Sequence, residues 1–411
     1  MQSEELYAQL LGLRAPWKVT SVELEMPAKV TVYVELEASA DVDCPECGKA
    51  CRRHDTRQRK WRHLDTMQAQ TVLVADVPRG ECPEHGVKQM QVPWAAPGSR
   101  FTAMFEILVI DWLKAAKGNV TAVASQLGMT WDQVDGVMSR AVERGLQRRT
   151  VESPRRLGVD ETSFKRRHQY VTVVADLESH RVLHVAEGRG KAALSSYFEA
   201  LTDEQRGELE AIALDMHGPF ISAIRQYVPD AEAKMCFDKF HVAALLSHAV
   251  DLVRRAESRE LHECGDDRLK RTRYLWLSNP TTMSDERWAG FEHLRESTLK
   301  TARAWAIKEA AMEVWTLDAS APVLLDAWRA VIAWGRRSRL APIKRAMATL
   351  RDHLTGVIRA QQLRLTNARL EGINSIIQGL KRTARGFRNR DRFRNAIYFH
   401  LGGLDLYPKP A

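Results

Sequence analysis

Residues 155–190 read RRLGVDETSFKRRHQYVTVVADLESHRVLHVAEGRG. Runs of β-branched residues separated by short polar breaks predict three strands here, Leu157 to Asp160, Tyr170 to Asp176 and Arg181 to Ala186. Breaks of that length join antiparallel neighbours, so the three form a meander. Downstream, a helix is expected over Ala192 to Leu201, a fourth strand over Glu210 to Asp215, a helix over Pro219 to Tyr227 and a fifth strand over Lys234 to Phe237. The second helix carries Pro in its first turn, where its missing N–H costs nothing.

The resulting order, βββαβαβ, is that of a ribonuclease H-like mixed sheet. Asp160 is expected to end the first strand and Asp215 the fourth, and in such a sheet those two strands are central neighbours. Two carboxylates brought together repel unless a hard cation lies between them, and Mg²⁺ or Mn²⁺ with oxygen ligands fits that need. Glu371, in the helical pattern NARLEGINSII at 367–377, is the candidate third ligand. Three carboxylates suit two-metal phosphoryl transfer.

Upstream of the core, NVTAVASQLGMTWDQVDGVM at 119–138 places Ala124, Gly128 and Val134 at helix-turn-helix spacing. These supply a small contact residue, a turn residue and an apolar anchor on the second helix. Trp131 and Gln133, at the start of that second helix, are candidate readers of base edges, and Arg140 opens a basic run continuing to Arg156. An ordinary helical hairpin with a solvated basic linker is the alternative.

Further upstream, alternation over residues 17–37 predicts two strands about a Met26-Pro27 turn, followed by a basic stretch from Arg52 to Arg62 and a strand at Thr71 to Val77. This β-rich head holds two knuckles, Cys44-Pro-Glu-Cys47-Gly and Cys82-Pro-Glu-His85-Gly. Cys44, Cys47, Cys82 and His85 can close a tetrahedron around Zn²⁺, with Cys51 and His54 as rival ligands. Cys236 and Cys264 stand apart as buried or free thiols.

The full chain has 411 residues, 45% of them apolar, and 61 Lys and Arg against 52 Asp and Glu, a formal charge of +9. That length suggests about three domains at roughly 150 residues each. The basic balance points to a polyanionic partner, double-stranded DNA above all. The apolar runs Phe105 to Leu113 and Ala321 to Trp334 are broken by Asp111, Asp326 and Arg329, so no membrane span is expected. No secretory signal is expected from MQSEELYAQLLG. Six cysteines fit a reduced, cytoplasmic setting.

Taken together, the knuckles, Gly158-Val159-Asp160-Glu161, Leu214-Asp215-Met216 with Pro219-Phe220, Asp238-Lys239-Phe240-His241 and residues 367–374 resemble a bacterial insertion-sequence transposase of the DDE class, in the ISL-three family. The resemblance covers nearly the whole chain, departing at the second knuckle, where His85 stands in place of a cysteine. It implies an enzyme that binds the terminal inverted repeats of its element and cuts and joins DNA with Asp160, Asp215 and Glu371. It also implies a supporting role for Asp238 and His241; a helix N-cap Asp with a buried His is the plainer reading. Asp215 and Glu371 are 156 residues apart, too far for one strand-helix step, and the resemblance implies a helical insertion between them. Six of the eleven tryptophans fall there, at 276, 288, 305, 315, 328 and 334, mostly as packing residues.

The expected class is therefore multidomain α+β. It comprises a zinc-binding β-rich head (1–97), a helix-turn-helix (98–150), a ribonuclease H-like mixed α/β catalytic core (151–241 and 361–411) and a helical insertion (242–360). The tail supplies Lys381, Arg382, Arg385, Arg388 and Arg392 to hold phosphates near the cut. A homodimer or larger assembly on nucleoid DNA is expected. A catalytically silent DNA-binding repressor and a metal-dependent nuclease without strand transfer are the alternatives.

Overall fold

The structure, a computed structural model, describes residues 2–25, 28–150, 153–165, 169–365 and 368–409. The Met26-Pro27 turn and Asn367 lie outside the described residues. The chain divides into two compact units, Met1–Thr150 with Leu380–Ala411, and Val151–Gly379.

The first unit opens with α1 (Ser3–Leu10) and a six-stranded sheet of β1 (Trp17–Glu25), β2 (Lys29–Leu36), β3 (Val42–Asp43), β4 (Ala50–Arg62), β5 (Gln70–Cys82) and β6 (Gly86–Gln89). Its order is β1-β2-β5-β4-β3, with β6 on β5. The basic stretch is itself a strand: β4 pairs antiparallel with β5 and leaves Arg52, Arg53 and Arg57 exposed. Trp94 packs edge-on to both Trp17 and Trp61, with ring centroids 4.9 and 5.4 Å away, and anchors the core of the head.

Three helices follow, α2 (Ala103–Ala115), α3 (Val120–Gln126) and α4 (Trp131–Arg148). Ala124 and Val134 are buried and Gly128 takes φ +60°, so the contact, turn and anchor positions stand where the spacing put them. Thr130 and Gln133 form a reciprocal capping box that starts α4.

The second unit holds a five-stranded sheet of β7 (Arg156–Lys165), β8 (Gln169–Asp176), β9 (Arg181–Glu187), β10 (Ala211–Leu214) and β11 (Met235–Phe237) in the order β11-β10-β7-β8-β9. The first three strands are antiparallel, and β10 runs parallel to both β7 and β11. Helices α5 (Lys191–Glu199), α6 (Asp203–Glu208), α7 (Gly218–Tyr227) and α8 (Ala231–Lys234) connect them. Leu157, Val159, Ile212 and Leu214 pack with Phe220 and Ile224 of α7 in a continuous core.

One boundary differs from expectation. Asp160 does not end its strand, because β7 keeps pairing with β8 as far as Lys165 opposite Gln169. Asp215 does directly follow the last residue of β10.

Between β11 and the Glu371 helix the described residues are helical: α9 (Lys239–Glu263), α10 (Arg273–Leu277), α11 (Asp285–Arg295), α12 (Lys300–Thr316), α13 (Ala321–Arg337), α14 (Ala341–Asp352) and α15 (Leu354–Gln362), with a short 3₁₀ turn at Pro280–Thr282. Trp276, Trp305 and Trp328 are buried there, and Phe291 packs edge-on against Trp276 and Trp305. Then come α16 (Ala368–Thr383), within which the boundary between units falls, and α17 (Arg390–Leu401). No helix of the described residues is long and apolar enough to cross a membrane.

Candidate active site

The two strands that carry the core aspartates are in register. Leu157 lies opposite Ile212 and Gly158 opposite Ala213, so two residues further along each chain Asp160 and Asp215 reach the same level. Gly158 is needed for what covers them: a Cβ there would come 2.7 Å from the Leu177 side chain and 3.0 Å from that of Leu370 on α16. Without that Cβ, α16 lies close against β7. Asn374 donates to Asp160 Oδ2 at 2.6 Å, and Gln378 donates to Thr162 Oγ1 at 2.8 Å. The match is geometric, since four helical residues advance about 6 Å and two strand residues about 6.6 Å.

Asp160 also accepts the Glu161 backbone N–H on Oδ1 at 2.7 Å. Burial lifts its carboxyl to about 6; the Glu161 N–H and the charge of His241 oppose the rise, while the carboxylates of Asp215 and Glu161 add to it. Asp238 is buried and caps α9 by accepting the His241 N–H at 3.1 Å, and His241 Nε2 lies 3.9 Å from its Oδ1. Asp238 is thus the N-cap of α9, and the charge of His241 reaches Asp160. Glu371 is exposed one turn before Asn374 and lines a cavity of ≈ 640 Å³ with Asp238, Phe240, Trp315 and Arg364.

The carboxylates of Asp160, Asp215 and Glu371 do not gather into one ligand cluster. Among the described residues the cluster in this unit is Glu161, Asp215 and His217, whose ligand atoms all lie within 4.8 Å of one another. Glu161 Oε2, His217 Nδ1 and Asn374 Oδ1 are buried without a hydrogen-bond partner. The orphaned Glu161 oxygen and His217 nitrogen beside Asp215 fit a divalent cation. The sequence pointed to Glu161 and Asn374 only as motif neighbours. No spacing marked Asn374 as the residue that would reach Asp160.

In the head, Cys44 Sγ lies 3.7 Å from His85 Nδ1, Cys82 Sγ 3.6 Å from the same nitrogen, and Cys47 Sγ 3.7 Å from Cys82 Sγ. A zinc tetrahedron with bonds of about 2.3 Å to sulfur has edges of about 3.7 Å. Backbone N–H groups of Cys47 and Glu46 hold the Cys44 thiol below its ordinary range, favouring the thiolate that binds metal. The rivals fall outside: Cys51 donates to the Lys49 carbonyl, and His54 pairs with Asp55.

Comparison with known proteins now decides the family. The ISL3 transposase family model matches residues 157–397, the helix-turn-helix domain of transposase family ISL3 matches 90–142, and the zinc-finger of transposase IS204/IS1001/IS1096/IS1165 matches 41–85. This chain belongs to the ISL3 family of DDE transposases. It is a DNA-binding enzyme that cuts and joins DNA, with a divalent cation for catalysis and Zn²⁺ in its amino-terminal domain. The transposase for insertion sequence element IS1557 of Mycobacterium tuberculosis is 28% identical over 95% of this chain and 93% of its own length. That for IS1001 of Bordetella parapertussis is 25% identical over 92% of this chain and 90% of its own length. No solved structure matches the chain.

The residues expected to touch DNA are placed as follows. Trp131 is exposed with the Arg392 guanidinium 4.4 Å over its ring, and Arg392 pairs with Asp132 at 3.1 Å and buried Asp135 at 3.0 Å. Gln133 caps α4, and Arg140 donates to buried Glu106 at 2.6 Å. Arg382, Arg385 and Arg388 are exposed, and Lys381 is half-buried.

Proposed function

We propose that Asp160, Asp215 and Glu371 are the catalytic carboxylates of this transposase, carried on a ribonuclease H-like core (151–241 and 361–411) that residues 242–360 interrupt as a helical insertion. The head (1–97) and helix-turn-helix (98–150) bind the terminal inverted repeats of its insertion sequence. The protein acts on nucleoid DNA as a homodimer or larger assembly. Bound Mg²⁺ or Mn²⁺ supplies the Lewis acid that activates an attacking water or 3′-hydroxyl and stabilises the leaving 3′-oxygen.

The observation that carries this reading is the in-register pairing of β7 with β10, which brings Asp160 and Asp215 to one level. In it, Asn374 fixes the Asp160 carboxylate, His241 offsets negative charge from beyond the capped start of α9, and Glu371 faces the adjoining cavity. Trp131 and Gln133 read base edges, and Lys381, Arg382, Arg385, Arg388 and Arg392 hold phosphates, with Arg140 supporting the recognition helix.

The test is strand cleavage of end DNA in Mg²⁺ by Asp160→Asn, Asp215→Asn and Glu371→Gln. Each variant is expected to lose cleavage by roughly a thousandfold or more while end binding stays near wild type, because only the metal-holding groups change. Cleavage by Asp215→Asn at the wild-type rate would overturn the assignment.

A further inference from the structure

We infer that Glu161, Asp215 and His217 form a cation site of mixed oxygen and nitrogen donors, in which His217 is a metal ligand and tilts the choice of cation from Mg²⁺ toward Mn²⁺. The inference builds on the catalytic reading only in sharing Asp215. Glu161 is not one of the three carboxylates that reading uses, and neither is His217.

The geometry starts from strand alternation. Asp160 and Glu161 are consecutive in β7, so their side chains leave opposite faces of the sheet. Asp160 turns to α16, where Asn374 and the Glu161 N–H each donate to one of its oxygens. Glu161 turns to the face that bears Leu157, Val159 and α7.

His217 meets it there for a local reason. It is the N-cap of α7, its backbone N–H donates to Asp215 Oδ1 at 3.2 Å, and its ring stands edge-on to Phe220 with centroids 4.8 Å apart. The ring is therefore held between a buried aromatic and Asp215, with the two-residue spacing from Asp215 to His217 fixed by the turn into the helix.

What remains unsatisfied points to a ligand. His217 Nδ1 and Glu161 Oε2 are both buried without a hydrogen-bond partner. The other Glu161 oxygen lies 3.5 Å from Arg189, so that side chain is steered and only one oxygen is left over. An imidazole nitrogen and two carboxylates within 4.8 Å of one another can be satisfied together by one divalent cation. Imidazole is a poor ligand for Mg²⁺ and a good one for later divalent metals, which sets the direction of the preference.

The experiment uses full-length, zinc-loaded protein titrated with Mn²⁺ and followed by pulsed electron paramagnetic resonance, with calorimetry for affinity. Wild type is expected to show ¹⁴N coupling from a coordinated imidazole. His217→Gln should lose that coupling and bind Mn²⁺ at least roughly tenfold more weakly, and Glu161→Gln should weaken binding while keeping the coupling. His217→Asp, which restores an all-oxygen set, should bring the ratio of Mn²⁺ to Mg²⁺ affinity down. His241→Gln, Asp160→Asn and Glu371→Gln should all keep the nitrogen signal. Bound Mn²⁺ without ¹⁴N coupling in wild type, or a coupling that survives His217→Gln or vanishes in His241→Gln, would overturn the inference. Failure of the catalytic reading shows separately, as cleavage that survives Asp160→Asn or Glu371→Gln whatever the resonance spectrum reports.

Discussion

The zinc knuckles and the proposed carboxylate site differ in how complete the protein leaves them. Cys44, Cys47, Cys82 and His85 stand at tetrahedral edge distances of 3.6–3.7 Å, presented by two short turns of one sheet. At the carboxylates, Glu161 Oε2, His217 Nδ1 and Asn374 Oδ1 are buried and unpaired, and Glu371 stays exposed on α16. A structural centre saturates its metal with protein ligands, whereas a catalytic one keeps positions open for substrate. The unpaired Glu161 oxygen and His217 nitrogen gain weight from lying in one cluster of ligand atoms with Asp215.

The largest effect that could break this contrast is at the head. Cys82→Ser should abolish zinc binding, melt the head cooperatively at a much lower temperature and eliminate end recognition, because zinc binding and folding are one process in such a domain. Metal analysis and thermal melts read it out. Withholding Mg²⁺ from the wild type should stop cleavage with little change in melting, and a comparable collapse of both units would contradict the distinction.

Next in size is Asn374→Ala, which frees Asp160 Oδ2. Turnover on end DNA should fall roughly 10–100-fold with binding and melting nearly unchanged. Asn374→Ser, which keeps a donor, should recover part of the loss. Single-turnover cleavage kinetics distinguish this from a folding defect, in which turnover and melting would drop together.

Arg140→Ala probes a paired group. Glu106 is buried, donors from Ser99 and Arg140 reach its Oε1, and Arg144 lies 3.7 Å from its Oε2. Removing Arg140 should destabilise the first unit by roughly 1–3 kcal/mol, as when a buried acceptor loses its charged donor. Denaturant titration measures that, and an unchanged midpoint combined with lost DNA affinity would make Arg140 a DNA contact instead. The smallest effect is expected from Cys51→Ser and His54→Ala, which should leave one zinc per chain because neither side chain belongs to the cluster.

What could be read in advance follows from how locally each feature is encoded. The knuckles were legible because Cys-x2-Cys and Cys-x2-His each place two ligands on one turn. The five core strands were legible because alternation and punctuation are local as well. Only the tertiary pairing showed that β7 runs past Asp160, since a strand ends where its partner does. The basic stretch became β4 for the same reason: Arg and Lys on its open face hide a pattern that β5 completes. The short helices α6 and α8 add to the expected elements, the latter entered through Asp230 at φ 55°.

The sequence by itself determined the two zinc knuckles, with Cys51 and His54 left as rivals, the helix-turn-helix spacing, and the strand order that makes neighbours of β7 and β10. Local geometry fixes each of these, through chemistry repeated every two, three or four residues. Only the tertiary structure decided which groups surround the aspartates. Asn374 reaches Asp160 across 214 residues of chain, by way of a helix that Gly158 admits. Glu161 and His217 meet because one faces away from Asp160 along a pleated strand while the other caps a helix packed on that same face. Such a meeting depends on how two elements pack, and no residue spacing encodes it.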